Sequence, residues 1–202
     1  MTSKEIKHFF HAIRDGDLQK VSELINTTKE YVTICNVSPP KKDDGQSGLQ
    51  VAFKTGNFDI AKLLIETGCD VNFIDKSDIN DWTSPVLHDC IKATIFNTYT
   101  LQKDISLFDK AFSIFQLMLV KKADPNMVDS YGNNSLHRAI MDSRQMIVNP
   151  LTDLSNGILL MQLRAVFKEL IISGADMNVA SEKRPSPANM LANFRMEQYK
   201  LW

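Results

Sequence analysis

Four histidines, three cysteines and a scatter of carboxylates are the residues of this 202-residue chain that could do acid–base, nucleophilic or metal chemistry. Their spacing decides how much of that chemistry is open to them. His8 and His11 lie three apart in a helix-like stretch, which puts both on one face and is a spacing that can clamp a metal. Asp15, four beyond His11, is the nearest carboxylate, and no further ligand completes the set. Cys90 follows His88 by two positions, and residues i and i+2 of a helix point to different faces, so no thiolate–imidazole pair forms. Cys35, Cys69 and Cys90 are odd in number and widely spaced, which fits neither a disulfide framework nor a zinc pattern. No G-x-S-x-G, P-loop or dinucleotide fingerprint is present. The expectation is no catalytic residue, no metal site and no cofactor.

Composition narrows the partners. Apolar residues make up 44% and charged residues 23%, with a formal net charge of -1, an ordinary globular balance. Counterion-release binding to nucleic acid needs a basic stripe, and the closest runs here are Lys41-Lys42 and Lys121-Lys122. No apolar run approaches the roughly 20 residues that span a bilayer, and Met1 to Phe10 lacks the pattern of a signal peptide. The expectation is a partner that is neither nucleic acid nor membrane, and a cytoplasmic location, or a host cytosol if the chain is exported.

The elements that must position any site come from internal repetition. Gly68-Cys69-Asp70-Val71-Asn72 recurs as Lys122-Ala123-Asp124-Pro125-Asn126 and as Gly174-Ala175-Asp176-Met177-Asn178. Each copy follows an apolar run with helical spacing, such as Ile60, Leu63, Leu64 and Thr67. Upstream of these runs stand Gly45 to Phe53, Gly132 to Ile140, Ser84 to Ile91 with one residue too many between Pro85 and His88, and a weaker copy from Ser186 to Ala192. A Ser or Thr ahead of each first helix can accept from free backbone N–H groups. Small residues (Ala52, Cys90, Ala139, Ala192) let paired helices approach, and the Asp of each closing turn can satisfy turn amides.

In these motifs the chain resembles the ankyrin repeat family, whose pattern runs G-x-T-P-L-H-x-A-A, a turn, an apolar second helix and G-A-D-V-N. Residues 45–72 fit that frame without a gap, with Gly48 in place of the usual Pro and Gln50 in place of the usual His. The resemblance implies an all-α helical solenoid with short hairpin fingers, whose stacked units supply the core. His88 and His137 fall where the family's histidine braces neighbouring turns. The expected units are an N-terminal half-unit at 4–30, a compact repeat at 43–74, repeats with insertions at 75–128 and 129–180, and a degenerate C-terminal cap at 181–202.

The two insertions depart from the family period of roughly 33 residues. Asp70 to Asp124 is 54 positions and Asp124 to Asp176 is 52. The extra length, roughly Lys92 to Lys110 and Met141 to Ala165, is rich in apolar residues, including Ile95, Phe96, Tyr99 and Leu101 in the first and Val148, Leu151 and Leu159 in the second. Both enlarge the same edge, so they are expected to pack on each other, with Thr152 or Asp153 capping a second helix that runs through Leu170.

In the family the fingers and first helices line a concave binding face. The finger residues here that stacking does not require are Phe73, Ile74, Lys76, Ile79 and Trp82, then Met127, Val128, Ser130 and Tyr131. Trp and Tyr are enriched in binding hot spots, so these nine are the candidate partner-binding residues. The implied function is a protein-binding adaptor or inhibitor. The rivals are an enzyme or small-ligand site in the inserted edge, and a self-associating structural module.

Overall fold

The structure, a computed structural model, describes residues 1–37, 40–100 and 102–202. Among them are nine α-helices: α1 Ser3–Asp15, α2 Leu18–Thr27, α3 Gly48–Thr55, α4 Phe58–Glu66, α5 Val86–Phe96, α6 Ile105–Val120, α7 Ser135–Ile147, α8 Ile158–Ile172 and α9 Pro187–Asn193. Strand-like pairing among the described residues is limited to two isolated antiparallel bridges, Cys35–Ser47 and Ile74–Pro85.

Local signals start and stop these helices. Thr2 and Ser47 each form a capping box, with Glu5 and Gln50 respectively reaching back to the cap's own N–H. Gly16 and Gly56 end α1 and α3 in the left-handed region, at φ 74° and 72°, where a residue without a Cβ carries no steric cost. In α5 the frame runs back from His88, so Pro85 stands at the N-cap and Val86 at the first helical position. The residue expected to be surplus there is absorbed by shifting the Ser and Pro one place ahead of the helix.

Helices α1, α3, α5, α7 and α9 pack on one another in chain order as one layer, and α2, α4, α6 and α8 as a second. Each pair, α1 with α2 through α7 with α8, packs across the two layers. Ala52, Cys90 and Ala139 are fully buried in this arrangement, and a larger side chain would force the helices apart. Phe115 and Phe167 fill the second layer with no exposure; burying such a ring contributes about 1.5–3 kcal/mol each. A Cβ on Gly48 would stand 3.0 Å from Ile13 Cδ1 and 3.3 Å from Phe9 Cε1, so close approach of α1 accounts for glycine at that position. Residues 4–30, expected as a half-unit, carry two helices, α1 and α2, both packed onto the pair that follows.

The longer spacing of the later pairs is taken up both as longer helices and as longer connections. Where α3 and α4 have 8 and 9 residues, α5 and α6 have 11 and 16, and α7 and α8 have 13 and 15. The connections between them do meet: Tyr99 N donates to Gln162 Oε1 at 2.7 Å, and Lys103 Nζ to the Leu151 carbonyl at 2.8 Å. Leu101 lies outside the described residues. The expected cap of α8 is corrected. Thr152 donates to the Met146 carbonyl at the end of α7, Asp153 accepts from Ser155 N at 2.8 Å, and α8 begins only at Ile158, behind Gly157.

Successive pairs are joined at the closing turns by asparagine. Asn72 Oδ1 accepts from Asp124 N at 2.7 Å while its Nδ2 donates to the Lys122 carbonyl at 3.1 Å. Asn126 repeats this on the next turn, with Asp176 N and the Gly174 carbonyl both at 2.8 Å. Asp70, Asp124 and Asp176 meanwhile accept from the amides of Asn72, Asn126 and Asn178. Each bridge contributes on the order of 1 kcal/mol per bond. Asn126→Ala is expected to lower unfolding stability by about 1–2 kcal/mol in urea titration, whereas Asn178→Ala, whose side chain bridges to no further turn, leaves it within about 0.5 kcal/mol.

Candidate functional site

Helix length sets up a cleft beside α3. α3 ends at Thr55 and its Gly56 cap has open space where a Cβ would stand, while its neighbour α5 continues for a further turn to Phe96. The step between them opens a groove of about 490 Å³ on the first-helix side, within the size range of ligand clefts. Lys54 and Thr55 form one wall, Lys92 and Phe96 the other, Arg138 of α7 closes one side, and Trp82 leans in from the finger. His88 and Asp89 lie at its base.

The base is a buried polar network built on Gln50. Its Oε1 accepts from Ser47 N at 3.1 Å. Its Nε2 contacts Asp75, the Ser84 carbonyl at 3.3 Å and Asp89 Oδ2 at 3.1 Å. Burial pushes the Asp89 carboxyl up to about 6, against the pull of Lys54 and Gln50, and raises Asp75 in the same way. Burial pushes the His88 imidazole down to about 4, opposed by the Asp129 charge. Asp142, also buried, is held above the ordinary carboxylate range by desolvation although Arg138 Nε donates to it at 2.7 Å.

The two family-position histidines differ. His137 accepts from Asn134 N at 3.1 Å through Nδ1, and its Nε2 lies 2.7 Å from the Pro185 carbonyl, so it ties α7 to the segment ahead of α9. His88 is buried against the Met127 backbone, with Asp129, Arg138 and His137 close enough for their charges to act on it. Burial pushes the Cys69 thiol up to about 12, and raises Cys90 and Cys35 as well. Among the described residues no group of three or more His, Cys, Asp or Glu comes together to hold a metal, and no helix is long and apolar enough to cross a membrane.

The nine finger residues separate into three kinds. Phe73 belongs to the core at 7% exposure, so it is not available to a partner. Ile74 is half-buried at its bridge to Pro85, and the half-buried Ser130 joins the two fingers through its N–H to the Thr83 carbonyl at 3.0 Å and its Oγ to Thr83 N at 3.2 Å. Lys76 is exposed but lies over the Phe73 ring, with its amide donating to the Gly45 carbonyl at 2.9 Å. Ile79, Val128 and Tyr131 are exposed, Tyr131 with the Arg184 guanidinium 5.9 Å from its ring centre. Met127 is half-buried, and of the nine Trp82 alone lines the groove. The sequence reading missed Lys54, Lys92, Phe96 and Arg138. The available signal was a cation at the same place in successive first helices, Ala52-Phe53-Lys54 and Cys90-Ile91-Lys92.

Residues 44–76 match the family model of the ankyrin repeat. Among curated proteins none matches the chain. Ankyrin repeats generally serve as protein–protein interaction modules, and proteins built from them are typically without catalytic activity.

The raised pKa of Asp89 carries a signed consequence. A carboxyl that titrates near 6 in the fold and near 3.8 when unfolded favours folding while protonated, and that contribution is lost as pH rises through about 6. Asp89→Asn removes this dependence. Its thermal stability relative to the parent chain is expected to rise between pH 4 and pH 7, by on the order of 2 kcal/mol at the upper end. Parallel pH profiles for the two chains would contradict the burial assignment.

Proposed function

We propose, with the ankyrin repeat at residues 44–76 as premise, that this chain is a non-enzymatic protein-binding module, an adaptor or inhibitor of a partner protein, using its concave first-helix and finger face. The same reading extends the repeat to the flanking helix pairs as one solenoid, in which the units at 75–128 and 129–180 are enlarged between their helices. Two features favour it: helices packed layer on layer in chain order, and asparagine bridges repeated at equivalent turns.

The observation that carries the binding face is the groove with Trp82 as one wall. A half-buried indole beside a cleft offers large apolar area together with an N–H donor, the combination found at interface anchors. Tyr131, exposed at 54% on the next finger, extends that face with a second ring. A surface held by packed helices loses little conformational freedom on binding, which favours affinity.

Affinity capture from the native source tests the assignment. The partner retained by the parent chain is expected to be lost or reduced at least tenfold with Trp82→Ala plus Tyr131→Ala, and to be retained with Met161→Ser on α8. Unchanged capture by the double variant would contradict the concave face as the binding surface.

A further inference from the structure

The groove carries a charge pattern as well as apolar surface. Lys54 and Lys92 occupy equivalent places on adjacent first helices, both exposed, and neither forms an ion pair among the described residues. Arg138 adds a third cation at the same cleft, its charge offset by its bonds to Asp142. The carboxylates nearby are turned to internal use: Asp142 is taken by Arg138, while Asp75 and Asp89 share the Gln50 amide and are 7% exposed each. Behind the two lysines the aromatic surfaces of Trp82 and Phe96 stay accessible, and Lys92 lies 5.7 Å from the Phe96 ring centre.

We propose that this groove takes an extended acidic peptide segment of the partner, with an aromatic or aliphatic side chain against Trp82 and Phe96 and carboxylates against Lys54 and Lys92. The proposal rests on the concave-face reading above and names the chemistry of what that face binds. Packed helices stand roughly 8–10 Å apart, and an extended segment rises about 3.1–3.4 Å per residue. Carboxylates about three residues apart therefore meet successive lysines. Nucleic acid also carries negative charge, but a net charge of -1 and a cluster of three cations do not make the long basic track that a phosphate backbone needs. Buried Asp89 at the base also repels any phosphate driven deeper than the rim.

Selection from a random 12-residue peptide library displayed on phage tests this with the full chain as bait. The baits are the parent chain, Lys54→Glu plus Lys92→Glu, Lys54→Gln plus Lys92→Gln, and Trp82→Ala, each checked by circular dichroism. The Gln pair keeps the test open if charge reversal unfolds the chain. The expected result is enrichment of peptides with an aromatic or aliphatic anchor and at least two carboxylates about three residues apart. Binding of a selected peptide should weaken at least tenfold with either lysine pair replaced and with Trp82→Ala, and should fall as salt rises. Enriched peptides without a negative bias, yet lost with Trp82→Ala, overturn the acidic proposal and leave the concave face standing. Peptides indifferent to every variant, or no enrichment at all, overturn both. Binding of a 12-nucleotide single strand as tightly as the selected peptides also overturns the proposal, in favour of a polyanion site.

Discussion

A helix pair of 8 and 9 residues has too little apolar surface to stand alone, so the structure depends on how one pair is registered on the next. The asparagine side chain does this directly at two of the three closing turns. Asn72 and Asn126 each use one oxygen and one nitrogen to join the following turn at two backbone points, which fixes spacing and rotation together. The aspartate two residues earlier preorganises the asparagine by accepting its amide. With the turns fixed, Ala52, Cys90 and Ala139 fall where first helices crowd against their partners, and the fingers come close enough for Lys76 to bond Gly45 and Ser130 to bond Thr83. Core and fingers are consequences of one repeated joint.

The same register turns a difference in helix length into a groove. Pairs aligned at their closing turns must place any extra residues at the opposite end, where α5 and α7 overhang the shorter α3. The longer connections then meet through Tyr99 with Gln162 and Lys103 with Leu151, so the overhang is supported from behind. The groove at the end of α3 is the space this step leaves. Phe96, at the end of the longer α5, forms a wall of the groove. Buried polar groups collect below that wall because Gln50 replaces the family's histidine, and its amide can serve two carboxylates where an imidazole could serve one.

Much of this was legible in the residues. The spacing of Gly68 to Asn72, Lys122 to Asn126 and Gly174 to Asn178 marks the closing turns, and Thr2 with Glu5 and Ser47 with Gln50 form capping boxes of the S/T-x-x-E/Q type. Other features depend on distances along the stack that one chain does not display. Phe73 reads as a finger residue but turns into the core, because the finger folds back through the Ile74–Pro85 bridge. Asp153 has the chemistry of a helix cap, yet it caps its own turn, and Gly157 in the left-handed region delays α8 to Ile158. Lys54 and Lys92 come to one groove only after the 37 residues between them are folded, so their common place in the repeat was the one trace of the groove.

The central claim, that a partner protein docks on the first-helix face at the step beside Trp82, is tested most directly by site-specific photocrosslinking in the native source. A benzophenone side chain placed at Lys92, in the groove, and separately at Lys168, on the exposed side of α8, reads out contact with little disturbance of the fold. The account predicts a discrete crosslinked protein from position 92, mapped by mass spectrometry to a single segment, and none from position 168. The same partner captured from position 168 and not from position 92 would contradict it.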